Sequence, residues 1–553
     1  MNGLQAPFKH FNIWVQAGLL LCLTAFLGLG TGWQAPVARA EAFTSHATSC
    51  PAVPGEAPSP TRQFRAVWIA TVVNIDWPDH TGLPVETQKQ QFIKILDKMQ
   101  QMHMNAIVVQ VRPSADALYP STLYPWSQYL TGVQGQDPGY DPLAFMIQQA
   151  HQRNIEFHAW FNPYRVSLGN SLDALAPDNP ARLHPDWVVS YGNQLAFNPG
   201  LPAVRDYITA GIMEVVHKYD IDGVHFDDYF YPYPVAGQSF PDQATYQQYG
   251  GAFSNIADWR RDNVNKLVHG VSTAIKEAKP YVKFGISPFG VWRNSSTDST
   301  GSATHAGVQD YDDLYADTRT WIKNNWLDYI VPQIYWNIGF APAAYDVLVP
   351  WWSHEVDQSN VQLFIGQAVY KIGSSGAWLD PDQMPQQLAL NLKYPEVKGS
   401  IFFSMKELFT NPLGFTDKLS NNIYKDPALI PIMPALGGGA PQKVVLEPAQ
   451  QATQGVALNW FDNQDQAATY YAVYRCDHSS NACDSANALH LLGTVRHVDS
   501  ATSAGKHSNG DGVLQTFVDT TAQANQTYTY YITALDRLHH ESQPSDGQMI
   551  TLK

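Results

Sequence analysis

The chain has 553 residues, 44% of them apolar and only 15% charged, so it can bury a large core and is not a disordered polymer. A net charge of −15 with no long run of Lys or Arg excludes a nucleic-acid binder that works by neutralising phosphates. Four cysteines are too few for a disulfide-built scaffold, and the 12% aromatic content serves either core packing or platforms for sugar rings.

The first 40 residues read as a cleavable secretory signal. Lys9 and His10 precede an apolar stretch at 17–30, shorter than the ~20 residues that span a bilayer, and Ala38-Arg39-Ala40 supplies a small-x-small cleavage site. A lipoprotein signal on Cys22 is the alternative, but Leu21 stands where a small residue is expected. The expectation is therefore a periplasmic or secreted protein. Residues 41–61, rich in Pro, Ala, Ser and Thr, form a flexible leader that carries Cys50. In an oxidising compartment Cys476 and Cys483 are expected to close a small loop.

From Arg65 onward, short β-branched and aromatic runs alternate with helical spacing. The runs are RAVWIATV (65–72), AIVVQVRP (106–113), EFHAWFNPYR (156–165), GVHFDDYF (223–230), FGISPFG (284–290), DYIVPQIYW (328–336), LFIGQAVYK (363–371) and GSIFFSMKEL (399–408). Apolar residues recur at three and four over 88–104, 143–154, 204–219 and 255–280, which predicts helices there. Eight strands alternating with helices over residues 62–428 predict a (β/α)8 TIM barrel, and no Gly-rich turn after the first run argues for a dinucleotide fold. Pro and three consecutive Gly mark 429–443 as a linker. The short alternating runs of 444–553 predict an all-β sandwich, and its LNW, YYAVYR and YTYYITALD resemble fibronectin type III modules.

Barrel chemistry gathers at the C-terminal ends of the strands, which narrows the search. Those ends carry Gln110 and Arg112; Asn162, Tyr164 and Arg165; His225, Asp227 and Asp228; Trp292; Gln333, Tyr335 and Trp336; Lys371; Lys406 and Glu407. Cleaving a glycosidic bond needs a protonated carboxyl at the leaving oxygen and a carboxylate on the other face of the sugar. Asp227, Asp228 and Glu407 are the acids at the predicted strand mouths. Period two from Gly223 turns His225 and Asp227 inward, and a bulge at the strand end would present Asp228 instead. Structural duty competes at each position: either Asp can brace Arg112 or Arg165, and Glu407 can partner Lys406. A metal-dependent hydrolase would need paired His at the end of the first strand, which RAVWIATVVN does not supply. Lys371 and Lys406 sit late for a Schiff base and lack a phosphate site nearby. The expectation is a site with no metal and no cofactor.

The segments FRAVWIATV, MNAIVVQVRPSADALYPS, GYDPLAFMIQQAHQRNIEFHAWFNPYR, FNPGLPAVRDYI, YDIDGVHFDDYFYP, FGISPFGVWRN and DYIVPQIYW resemble the glycosyl-hydrolase-like TIM-barrel family of bacterial envelope enzymes of the DigH type, over about residues 62–425. The resemblance implies a barrel that cuts peptidoglycan glycan strands freed of their stem peptides, with the family's acidic pair falling on Asp227 and Asp228. IDGVHFDDYFYP is also distantly similar to the DG-x-D-x-D-x-E motif of chitinase-type barrels, but Tyr229 stands where the catalytic Glu would fall.

The expected enzyme is a glycoside hydrolase acting on a polysaccharide. One of Asp227 and Asp228 is the general acid, with the other Asp or Glu407 as base or nucleophile. Trp160, Tyr164, Trp292, Tyr335 and Trp336 are expected to stack on sugar rings. Arg112, Asn162 and Gln333 would bond hydroxyl or acetamido groups, with Arg165 and His225 completing the substrate-binding set. The rival readings are a non-catalytic glycan-binding envelope protein, held through the C-terminal module or a lipid on Cys22, and a hydrolase of a deacetylated amino-sugar exopolysaccharide.

Overall fold

A computed structural model describes residues 61–461, 468–477, 491–497 and 514–553. The expected signal, its Cys22, and all of the leader but Thr61 lie outside them, as does Cys483; Cys476 is disulfide-bonded. No helix of the described residues is long and apolar enough to cross a membrane.

Eight parallel strands close into the expected TIM barrel: β1 (Phe64–Ile69), β2 (Ala106–Arg112), β3 (Glu156–Phe161), β4 (Gly223–Phe226), β5 (Lys283–Ile286), β6 (Tyr329–Ile330), β7 (Gln362–Ala368) and β8 (Val397–Phe403). The ring shuts where Phe64 of β1 lies opposite Gly399 of β8. A helix follows each strand: α1 (Val85–Gln101), α2 (Pro142–His151), α3 (Pro202–Lys218), α4 (Ile256–Ala278), α5 (Thr318–Lys323), α6 (Tyr345–Val356), α7 (Gln383–Asn391) and α8 (Met405–Thr410). α1 shows why these segments are helical: Phe92, Ile95, Leu96 and Met99 recur at three and four and bury one face.

Alternation along each strand sorts side chains between the two faces of the barrel wall. Phe64, Ala66 and Trp68 of β1, with Ala70 just beyond it, point into the barrel, while Val67 and Ile69 pack against the helices. Large rings fill the interior because small residues make room for them. A Cβ on Gly223 would lie 2.4 Å from the His158 ring, and one on Gly285 would lie 2.1 Å from Tyr329.

Two features were not legible in the sequence. The segment after β3 carries a small antiparallel sheet (Arg165–Ser167, Val188–Tyr191, Gln194–Phe197). The expected linker begins as a barrel plug: Leu429 exchanges backbone hydrogen bonds with Thr61 and Gln63 at 2.8 Å, and Ile430 and Met433 join the cluster inside the barrel. The C-terminal residues form two antiparallel sheets around Val456, Leu458, Trp460, Tyr471, Val473 and Tyr530, an all-β module.

That module docks on the N-terminal end of the barrel. Arg537 pairs with Asp220 and, at 3.0 Å, with Asp222; Arg62 pairs with Glu541 at 2.9 Å. His539 reaches the buried Glu156 at 2.7 Å, where Lys283 also sits. This end is thereby covered by charge pairs and apolar side chains, which leaves the opposite end for chemistry.

Candidate active site

The site is built on the end of β4. The strand stops at Phe226, so Asp227 and Asp228 lie in the turn beyond it, where Phe230 N–H bonds the Asp228 carbonyl at 3.1 Å. Leaving the strand frees the two neighbours from pointing to opposite faces. Their carboxylates diverge instead toward two different walls of the mouth. Asp227 accepts from Asn162 Nδ2 at the end of β3, and its Oδ1 takes the Tyr229 N–H at 3.3 Å. Asp228 accepts from the Tyr233 hydroxyl and, at 3.2 Å, from Gln333 Nε2 beyond β6. Among the described residues neither aspartate is in an ion pair, so neither braces Arg112 or Arg165. Asp227 is 5% exposed and Asp228 4%, and the next residue, Tyr229, is 39% exposed.

Electrostatics follows from this burial. Desolvation pushes the Asp227 carboxyl up to about 7, opposed by the nearby Arg165 cation and reinforced by the Asp228 charge. Asp228 is raised by burial too, while the Tyr233 and Gln333 donors pull it back toward the ionised form. Two neighbouring buried carboxyls, one of them raised to about 7, can supply the acid and the carboxylate that acid–base cleavage requires.

His225 faces inward as expected but serves as the floor. Trp68 Nε1 can only donate, so at 3.2 Å it fixes His225 Nε2 as acceptor and leaves the ring proton on Nδ1, 3.1 Å from the Tyr329 hydroxyl. Tyr329 then bonds His158 at 2.8 Å, and His158 bonds Glu156 at 3.1 Å. Complete burial and this network hold His225 neutral, its pKa well below the ordinary value.

Several expected binding residues are corrected by their placement. Arg112 is wholly enclosed, 4.3 Å over the Tyr124 ring and bonded to the Asn162 and Pro163 carbonyls. A bulge between Gln110 and Arg112 shifts the register of β2 there. Tyr164 is 1% exposed and packs in the layer between barrel and helices. Trp160 lines the barrel interior opposite His225. Trp292 is buried against Trp351, with Arg319 4.4 Å over its ring. Asn162 is fully buried and its amide is spent on Asp227. Glu407 caps α8: its carboxylate and the Ser404 hydroxyl form a capping box.

The mouth retains Tyr335 and Trp336, both half-buried, with Gln333 and Arg165. Arg165 lies 4.5 Å over the Tyr229 ring, and Tyr335 stacks on Phe403 with Tyr370 at its edge. Tyr229 stood among the residues at the end of the fourth strand without a binding role, and sequence reasoning passed over Tyr233, whose signal was its place five residues after Asp228. It also missed two acids outside every predicted strand. Asp310 is wholly buried, and burial together with the Asp228 charge raises its pKa well above the carboxylate range. Asp76, in the loop after β1, is raised to about 7 by burial and ties that loop to Ser404 at 2.7 Å.

The family glycosyl hydrolase-like 10 matches residues 63–384, which are most of the barrel and contain the acidic pair. The chain belongs to this family. Glycosyl hydrolase YngK of Bacillus subtilis is 56% identical over 492 residues, covering 88% of this chain and 92% of its own. That alignment is too long to end at the barrel, so it takes in part of the C-terminal module. Glycosyl hydrolase DigH of Escherichia coli K12 is 43% identical over 374 residues, 63% of this chain and 84% of its own. This member of the family is a glycoside hydrolase built on a TIM barrel.

Proposed function

We propose that this hydrolase cuts glycosidic bonds in bacterial cell-wall glycan strands stripped of their stem peptides, after export to the envelope or beyond. The observation that carries the reading is the divergent pair Asp227 and Asp228 at the C-terminal mouth of the barrel, held by Asn162 on one side and by Tyr233 and Gln333 on the other. Asp227, raised to about 7, is the general acid that protonates the leaving oxygen. Asp228, bonded by two donors, is the carboxylate that serves as base or nucleophile. Glu407 is committed to its helix cap and takes no step.

Substrate charge is supported by two cations. Arg165 donates to the Pro113 carbonyl and Lys371 to the Tyr335 carbonyl at 2.6 Å, and among the described residues neither is ion-paired. Unpaired cations beside the mouth of a chain with net charge −15 suit an anionic glycan. Peptide-free peptidoglycan carries free lactyl carboxylates, whereas a deacetylated amino-sugar polymer carries cationic amines. Tyr229, Tyr335 and Trp336 provide rings for the sugars.

The test is release of reducing ends from peptide-free glycan strands. Asp227→Asn and Asp228→Asn should each lower kcat/KM by about a thousandfold while leaving binding in place. Normal cleavage by both variants would refute the roles, and wild-type binding without new reducing ends would refute hydrolysis of this polymer. Products from a deacetylated polymer alone would move the substrate assignment there.

A further inference from the structure

Behind Asp227 lies a run of buried amides whose direction is set by the backbone. Gln110, inside the barrel at the end of β2, is fully buried. Its Oε1 accepts from the backbone N–H groups of Thr71 at 3.0 Å and Val72 at 2.9 Å. Backbone N–H can only donate, so the amide of Gln110 has one orientation and its Nε2 must point the other way. Nε2 lies 2.6 Å from Asn162 Oδ1, which therefore accepts, and Asn162 Nδ2 is left to donate to Asp227 Oδ2. The hydroxyl of Thr71 closes the arrangement on the Gln110 carbonyl at 2.8 Å.

We propose that Gln110 is a positioning residue for the reaction: through Asn162 it keeps an amide N–H aimed at Asp227 Oδ2, complementing the Tyr229 N–H on Oδ1, and so holds the carboxyl in place. The inference rests on the reading of Asp227 as the general acid. The Asn162 N–H meets Oδ2 and the Tyr229 N–H meets Oδ1 at 3.3 Å, and of these two bonds the Asn162 one depends on Gln110. The same bond favours the ionised form, so the relay restrains the rise that burial imposes on Asp227. The charged and titratable groups that also face Asp227 are Asp228, Arg165, Tyr229 and Tyr335, and none of them touches Gln110.

Gln110→Glu breaks the relay, because one carboxylate oxygen keeps both backbone contacts while the donor to Asn162 is lost once the introduced side chain ionises. Asn162 then turns its amide toward the introduced carboxylate and presents its carbonyl oxygen to Asp227. The first readout is the carboxyl ¹³C titration of Asp227, assigned by its loss in Asp227→Asn. Asp227 should titrate at higher pH in Gln110→Glu than in wild type. The second is the pH profile of glycan cleavage. Gln110→Glu should stay near wild type at low pH, where the introduced carboxyl is protonated and still donates, and lose about tenfold in kcat/KM at alkaline pH.

An Asp227 titration identical in both proteins overturns the proposal, as does a uniform loss of activity at all pH values with an unmoved titration. A shifted titration with an unchanged rate profile in an active enzyme overturns the role in catalysis. Failure of the wild type to cut glycans refutes the proposed function instead, and the titration still decides whether the relay exists. A misfolded Gln110→Glu is replaced by Asn162→Leu, which removes the donor at the next position without adding charge and should raise the Asp227 titration in the same direction; a rise in Gln110→Glu that Asn162→Leu does not share is repulsion by the introduced carboxylate and overturns the relay.

Discussion

Replacing His539 by Ala probes the lock between the module and the barrel. The imidazole Nε2 lies 2.7 Å from Glu156 Oε1, and the ring stacks on Tyr470 at 5.3 Å and 17°. Glu156 is 1% exposed, and Lys283 and His158 also bond it. A hydrogen bond to a buried ionised group contributes about 1.5–3 kcal/mol, and a ring pair about 0.5–1.5 kcal/mol, so His539→Ala should cost about 2–4 kcal/mol. His539 has φ +66, and Ala at that position would share its left-handed backbone, so most of this strain cancels in the comparison.

The pH dependence has a definite sign. Burial lowers the His539 pKa below its ordinary 6.5, so the folded protein holds it neutral and the unfolded chain takes up a proton as pH falls through 6.5. Stability from His539 is therefore complete above that pH and lost below it. Glu156, held well below the ordinary 4.5 by Lys283, His158 and His539 against its own desolvation, loses its contribution only in stronger acid. Urea unfolding from pH 8 to pH 5, followed by tryptophan fluorescence, should show His539→Ala far below wild type at pH 8, with the gap narrowing toward pH 5. A gap that widens in acid would mean that His539 is charged in the folded protein, and the account of this contact would be wrong.

Tyr233→Phe removes a donor from Asp228, so the carboxylate should ionise at higher pH and the acid limb of kcat/KM should move up by about half to one unit; an unmoved limb would sever Tyr233 from the chemistry. Glu407→Ala should cost about 1 kcal/mol through the lost capping box and leave kcat/KM within about threefold, whereas a thousandfold loss would restore Glu407 as a reacting group. Ending the chain at Ala428 removes Ile430, Met433 and the module loop from the barrel's N-terminal end. It should give no soluble folded barrel, and a monomeric truncated protein with a cooperative melt would contradict the plug.

Much of the barrel could be read from one-dimensional pattern. Strand alternation and three-and-four helical spacing are local consequences of side-chain direction, so the expected helix at 204–219 is found at Pro202–Lys218 and the expected strand at 106–113 at Ala106–Arg112. Asp227 and Asp228 were legible for the same reason: they follow the fourth strand, and strand ends are where a barrel opens. The capping role of Glu407 was also local, since Ser404 stands three residues before it.

Sequence alone thus determined the order of elements, the barrel and the place of Asp227 and Asp228 just beyond the fourth strand, because each depends on neighbours within a few residues. Tertiary structure decided which of the candidate side chains face the mouth. The bulge in β2 encloses Arg112, the packing of Trp351 and Arg319 buries Trp292, and Tyr164 turns to the helices. It also decided that 429–433 seal the barrel, that His539 crosses 383 residues to meet Glu156, and that Gln110 reaches Asp227 through Asn162. Burial and hydrogen-bond polarity are properties of groups brought together from distant parts of the chain, and no periodicity along the chain encodes them.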